Sequence, residues 1–486
     1  MIRFASVLNL LSIVIVIIAV LMLIPYSISV YYQDGVSFAF LESFILTMVV
    51  GLLTWAITMR LSKGQEIQIR EGFLLALLSW LVIPALSAIP LLLAIPGLSF
   101  TDAYFETMSG LTTTGATVLT GLDHLAVSIN FWRTFLVWLG GMGVVVLAVA
   151  LMPLLGVGGH QAFKAETPGP MKDEKITPRI TQTAKGLWIV YSIITVACIV
   201  SLCLAGMPTM DSIMHTFSIM GLGGFSSHDD SFGFFKSPAM ESVAIVFMLI
   251  AGVNFATHFV SFSRKSVKPY IADIEAHAFL ILMVFSIILV SIVLWVHQFY
   301  DDYLTALRHA AFNVVSIATT TGLATVDYNL WPIFAPIFMI LLSCFATCAG
   351  STGGGIKMIR AQLLLKKSQG EILRLIHPHA EIVVKHNNQP IQTKILYSIS
   401  TFFFLYVVTI IFFTLLMLLS GCDVVTGVTA VVASINNMGP GLNLVGPATT
   451  FAVLTDFQTW VCTFSMLLGR LELFTFLVVL SPRFWD

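Results

Sequence analysis

Charge is what this chain has least of. Of 486 residues, 24 are Lys or Arg and 25 are Asp or Glu, about 10%, where soluble domains carry roughly 25%. So few ionic groups cannot coat a water-soluble globule of this length. A formal net charge of −1 leaves no basic field to hold a phosphate backbone, which removes nucleic acid as a partner. Cysteine is scarce as well. Of the six, Cys198, Cys203, Cys344, Cys348 and Cys462 lie inside apolar runs and Cys422 at the edge of one, without CxxC spacing, which argues against a disulfide framework or a zinc site. Cys344 and Cys348, four residues apart, read as buried thiols packing as small hydrophobes. No GxGxxG follows a strand-like run, so the chain has no Rossmann site of its own and no organic cofactor is expected. Paired carboxylates and Ser/His constellations are also missing from the apolar runs, which argues against a membrane enzyme.

What is abundant is apolar length. Hydrophobic residues make 57% of the chain, and runs long enough to cross a bilayer occur near 5–30, 38–59, 72–95, 132–155, 187–207, 239–262, 277–298, 332–356, 395–420 and 451–481. Long continuous runs, rather than alternating ten-residue segments, exclude an outer-membrane barrel. The expected fold is an all-α multi-pass membrane protein. No AxA-like site follows the first run, from Phe4 to Pro25, which reads as a retained span. Ten crossings put both termini on one side. With that topology 20 of the 24 basic residues share a face, among them Arg3, Lys63, Lys164, Lys172, Lys175, Arg264, Lys265, Lys268 and Lys357. That face is cytoplasmic by the positive-inside rule. Arg133, Lys236 and Arg308 lie opposite, and Arg470 falls within the last run. The outer face carries Asp102, Glu106, Asp123, Asp211, Asp229, Asp230, Glu241, Asp302, Asp327 and Asp423 among others, a vestibule suited to concentrating cations.

Four shorter segments, near 102–111, 211–220, 302–318 and 423–435, have the length of re-entrant half-helices. Each begins beside an acidic residue suited to a helix N-terminus (Asp102, Asp211, Asp302, Asp423) and ends in a polar string. The strings are Leu111-Thr112-Thr113-Thr114-Gly115, Met220-Gly221-Leu222-Gly223-Gly224, Ala318-Thr319-Thr320-Thr321-Gly322 and Asn436-Asn437-Met438-Gly439. Aligning Gly115, Gly223, Gly322 and Gly439 gives spacings of 108, 99 and 117 residues, enough for a span, half-helix and span in each unit. The implied organisation is an N-terminal two-helix part, 1–69, followed by four units at 70–160, 161–265, 266–394 and 395–486. Non-helical backbone at membrane depth is tolerated only where it is buried in protein or lines a wet cavity. Four strings around one axis can present carbonyl oxygens in place of an alkali cation's hydration shell, with glycine supplying the backbone freedom.

These strings resemble those of the pore-forming subunits of Trk potassium-uptake systems, TrkH-like members of the Trk/Ktr/HKT superfamily. The resemblance covers the whole chain and implies four M1–P–M2 repeats around a pseudo-fourfold pore, preceded by two extra N-terminal helices. It implies a potassium selectivity filter at Thr112, Thr113, Thr114 and Gly115; at Met220, Gly221, Leu222 and Gly223; at Thr319, Thr320, Thr321 and Gly322; and at Asn436, Asn437, Met438 and Gly439. Units two and four depart from the Thr string, which leaves sodium-coupled symport or poorly selective alkali-cation transport open beside potassium uptake. The family likeness further implies a homodimer in the bacterial inner membrane and a cytosolic nucleotide-binding ring of the RCK type.

Below the filter, Gly350-Ser351-Thr352-Gly353-Gly354-Gly355 interrupts the second span of unit three. Each interior glycine costs a helix about 1 kcal/mol relative to alanine, so the expected structure is a loop able to obstruct the pathway. Gly140, Gly141 and Gly143 in unit one read instead as close helix packing. Arg470 is expected beside that loop, because a charge at this depth costs at least about 2.5–3.5 kcal/mol and needs acceptors. Glu472, two residues on, faces another side of a helix. His228-Asp229-Asp230 and His377-Pro378-His379 lack a metal-binding helical frame and read as solvated loops.

Overall fold

The computed structural model describes residues 4–61, 68–155, 176–380, 382–386 and 389–485. Arg3, Lys63, Lys164, Lys172, Lys175 and the rest of the segment 156–175 ahead of the second unit's outer helix therefore lie outside the described residues.

Among the described residues the regular structure is helical apart from a two-residue antiparallel pairing, Lys385–His386 with Gln389–Pro390. Phe4–Tyr32 and Ser37–Met59 form the N-terminal pair. Each unit then contributes an outer helix, a half-helix and an inner helix. The outer helices lie at Arg70–Ala94, Ile176–Leu204, Ile274–Val296 and Thr393–Leu419. Side chains such as Ile281, Phe285, Phe404 and Leu415 stay more than half exposed along them. Apolar exposure on that scale would drive a soluble protein to aggregate and suits contact with lipid.

The half-helices are Phe100–Leu111, Thr209–Gly221, Tyr303–Ala318 and Val424–Ile435. Their acidic residues divide into two roles. Asp302 and Asp423 are N-caps, accepting from the N–H of Thr305 at 3.1 Å and of Thr426 at 2.9 Å. Asp102 lies in the first turn behind a Ser99 cap, and Asp211 in the first turn behind Pro208. All four carboxylates thus face the positive end of a helix dipole and leave the negative end pointing at the polar string.

The inner helices depart furthest from the ten continuous spans the sequence suggests. Only that of unit one, Val127–Leu155, runs unbroken. In unit two Pro238–Gly252 and Phe255–Arg264 meet at 94°, and in unit four Asp456–Arg470 and Phe474–Leu480 meet at 107°. In unit three the helix stops at Ser343 and resumes only at Met358, continuing to Ile376 through what the sequence presents as a polar loop. Six helices are long and apolar enough to cross a membrane, or eight counting each bent pair as one, among the described residues. Hydropathy averages over a window and cannot register a bend, because apolar residues continue on both sides of it.

Candidate functional site

The four strings converge. A Cβ built on Gly115 would lie 2.0 Å from the nitrogen of Gly224, one on Gly224 would lie 2.9 Å from the carbonyl carbon of Gly322, one on Gly322 would lie 2.1 Å from the Met438 oxygen, and one on Gly439 would lie 2.8 Å from the Thr114 oxygen. Unit one meets two, two meets three, three meets four, and four meets one: the strings close a ring. No side chain fits between neighbours at these glycines. Gly115, Gly322 and Gly439 also have φ of 80°, 84° and 96°, which L-residues rarely adopt.

Within each string the backbone follows one scheme. The second residue, Thr113, Leu222, Thr320 or Asn437, is left-handed, with φ between 52° and 63°. The third sends its N–H back to the end of the half-helix: Thr114 to Ser109 O at 2.8 Å, Gly223 to Ser218 O at 2.9 Å, Thr321 to Ser316 O at 2.7 Å and Met438 to Ala433 O at 2.9 Å. This scheme corrects the alignment of unit two. The counterpart of Gly115, Gly322 and Gly439 is Gly224, and the residues before it are Gly221, Leu222 and Gly223. Two adjacent glycines left the register ambiguous in the sequence. Met220 moves back to the helix end, where its carbonyl accepts the Thr352 hydroxyl at 3.0 Å.

Several string side chains are bonded to the scaffold. Thr112 and Thr319 hydroxyls donate to Met108 O and Val315 O, both at 2.7 Å. Asn437 Nδ2 donates to Thr114 Oγ1 and to Met466 O, each at 3.0 Å, and Asn436 accepts the Tyr406 hydroxyl at 2.5 Å. No backbone N–H among the described residues donates to the carbonyls of 112–114, 221–223, 319–321 or 436–438. Those oxygens therefore carry no backbone hydrogen bond and are available to a cation.

A buried ion pair that the sequence did not announce braces the ring. Glu106 and Arg133, both on the expected outer face, are 0% and 1% exposed, with Arg133 Nε 2.7 Å from Glu106 Oε1. Arg133 also donates to Ser226 O at 3.2 Å and lies over the Phe225 ring, while Glu106 accepts from Thr117 Oγ1 at 2.9 Å and Val118 N at 3.0 Å. The pair thus ties string one to string two. Glu241 is likewise committed, to Arg308 at 2.7 and 2.6 Å, so neither glutamate belongs to the acidic vestibule.

His228 is no solvated loop residue either. Its ring stacks on Phe234 at 3.6 Å, with Nδ1 2.5 Å from Asp123 and Nε2 3.4 Å from Asp211. Partial burial disfavours its charged form, but the two carboxylates outweigh that and raise its pKa above the usual value. It links the outer loops of units one and two.

Beneath the ring, residues 344–357 form a loop held at many points. Thr347 Oγ1 donates to Gly354 O at 2.8 Å, and Gly354 N donates to Thr320 Oγ1 at 2.9 Å. Cys348 N donates to Gly252 O at 3.1 Å and Phe255 N to Gly350 O at 3.0 Å, stitching the loop across the elbow of unit two. Glu275 Oε1 accepts from Ala349 N at 2.8 Å and Ile359 N at 3.0 Å. Lys357 is buried and donates to Gly353 O, so it belongs to the loop and leaves the set of surface cations. Gly354 fits because a Cβ there would lie 1.9 Å from Asn436 O. Arg470, 4% exposed, donates to Thr352 O at 3.0 Å and Gly140 O at 3.1 Å, joining the inner helix of unit four to the loop and to unit one. Glu472 pairs with Arg360 at 2.5 Å. The helix through Gly140 stays intact, a Cβ there meeting Leu111 O at 1.8 Å.

The family model for TrkH, a cation transport protein, matches residues 36–486. The chain belongs to the TrkH family. Among curated relatives, the Trk system potassium uptake protein TrkH of Salmonella typhimurium (strain LT2) is 42% identical over 99% of both chains. Its counterpart from Escherichia coli (strain K12) is 41% identical over 99% of both, and TrkG of the same organism is 39% identical over 96% of this chain and 95% of the relative. The crystal structure of the potassium transporter TrkH from Vibrio parahaemolyticus superposes with a TM-score of 0.92 at 39% identity, covering each chain completely. TrkH-family proteins are membrane transporters, not enzymes.

Proposed function

We propose that this TrkH-family chain takes up potassium through a gated, channel-like pore whose selectivity filter is the ring of four strings. The observation that carries the reading is the cyclic contact of Gly115, Gly224, Gly322 and Gly439, with the preceding carbonyls free of backbone donors. Dehydrated potassium is held by carbonyls of Thr112–Thr114, Gly221–Gly223, Thr319–Thr321 and Asn436–Met438. Inward movement is driven by the membrane potential, about 2.3 kcal/mol per charge per 100 mV. The pore units follow the boundaries 70–160, 161–265, 266–394 and 395–486, and the chain lies in the bacterial inner membrane with both termini cytoplasmic.

The loop Gly350–Gly355 and Arg470 form the gate. Thr352 sits at its centre, accepting from Arg470 and donating to Met220 under the second string. A cation in this position both obstructs and repels potassium below the filter. Regulation comes from a cytosolic RCK-type nucleotide-binding ring acting on this end of the pore, in a homodimer with one pore per chain. Potassium, rubidium and sodium fluxes in proteoliposomes test the reading. Potassium and rubidium are expected to pass well ahead of sodium, whereas equal potassium and sodium rates would establish poorly selective transport, and uptake that requires sodium would establish symport.

A further inference from the structure

The 94° elbow of the unit-two inner helix encloses an apolar cavity of about 430 Å³ between its two halves and the outer helices of units two and three. That is the size of a ligand pocket. Ala197, Phe247 and Val253 line it, and Ile193, Phe262 and Leu280, each more than 40% exposed, form its open side toward the bilayer. At its polar end His258 bridges the Ile250 carbonyl, 2.9 Å from Nε2, and the Tyr270 hydroxyl, 2.6 Å from Nδ1. Because a carbonyl can only accept, Nε2 carries the proton and Nδ1 accepts from tyrosine.

The turn between the two cavity residues Phe262 and Tyr270 carries Arg264, Lys265 and Lys268, all exposed. The next acids along the chain are engaged elsewhere: Asp273 accepts from Thr257 Oγ1 at 2.7 Å and Ala276 N at 3.0 Å, and Glu275 holds the loop amides. Val267 and Ile271, each 67% exposed, flank these cations. Such apolar groups, beside cations with no ion pair among the described residues, belong at a membrane interface, where anionic headgroups meet acyl chains.

We propose that an anionic phospholipid binds here, one acyl chain in the elbow cavity and its phosphate on Arg264, Lys265 and Lys268. Its occupancy holds the elbow bent, and through Gly252 and Phe255 holds the loop at 348–350; this coupling rests on the gate proposed above, whereas the binding itself does not. Native mass spectrometry of the full-length chain, titrated with phosphatidylglycerol or phosphatidylcholine, reads the binding. A preference for phosphatidylglycerol is expected. The R264Q/K265Q/K268Q variant should lose at least about ten-fold of that preference, and A197L, which narrows the cavity, should weaken retention of both lipids. Removing equal charge at Lys366, Arg374 and Lys394 should change neither. No preference in the wild type, or an undiminished one in R264Q/K265Q/K268Q, overturns the site. Rubidium flux in vesicles with and without phosphatidylglycerol reads the coupling, and flux indifferent to the lipid despite selective binding overturns that part alone.

Discussion

Replacing Arg470 by alanine removes two hydrogen bonds from a guanidinium to carbonyls, at 3.0 Å to Thr352 and 3.1 Å to Gly140. Bonds to a charged group contribute about 1.5–3 kcal/mol each. Even the lower figure for the pair, about 3 kcal/mol, shifts a closed-to-open equilibrium of the loop by roughly a hundred-fold. The observed flux rises by less, because it saturates once the loop is always open. Global stability changes little in comparison, since alanine also relieves the cost of keeping a cation dry, at least about 2.5–3.5 kcal/mol. Rubidium-tracer uptake into proteoliposomes of purified, monodisperse protein is the assay, with Arg470→Lys as the second variant. Lysine keeps the charge but lacks the planar fork that reaches both carbonyls. If anchoring of the loop dominates, lysine behaves like alanine; if repulsion of the permeating ion dominates, lysine behaves like arginine. Wild-type flux in both Arg470→Ala and a deletion of 350–355 would refute the gate.

Gly322→Ser puts a Cβ 2.1 Å from the Met438 carbonyl at a φ of 84°, so the ring must distort and the potassium-to-sodium flux ratio should fall toward one; an unchanged ratio counts against the filter. Glu106→Gln strips Arg133 of its counter-charge in a buried site and should cost about 3–5 kcal/mol, read as a lower melting temperature in detergent, and an unchanged melting curve would show the pair to be dispensable. His228 links Asp123 and Asp211 as a cation, and its pKa is raised in the fold. Its contribution is therefore complete below about pH 6.5 and fades as pH rises through the elevated value. His228→Gln should remove that alkaline loss, so equal pH dependence in the two proteins would contradict the assignment.

Membrane residence, the outer helices and the presence of four strings were all legible in composition and spacing, because burial in lipid and helix length act on every residue of a run. The Gly350–Gly355 break was legible too, since glycine weakens a helix wherever it occurs. The elbow in unit two was not. Asn254 stabilises it by accepting from Ala256 N at 2.8 Å, and an asparagine after a single glycine inside an apolar run is a faint local sign. Nor was the partner of Arg133, which lies 27 residues away, or the escape of Lys357 from the surface count into a buried bond with Gly353 O.

The register of unit two marks the boundary most sharply. Gly223 and Gly224 are equivalent as letters, and only the hydrogen bond from Gly223 N to Ser218 O, repeated by Thr114, Thr321 and Met438 in the other units, decides that Gly224 meets Gly322 in the ring. The sequence by itself determined which segments enter the membrane and which cannot remain helical there, because solvation and backbone propensity are properties of a residue and its neighbours. Tertiary structure alone decided which carbonyls face one another and which carbonyls receive Arg470. Those contacts join residues about a hundred or more positions apart, and their existence depends on close approaches that no local preference encodes.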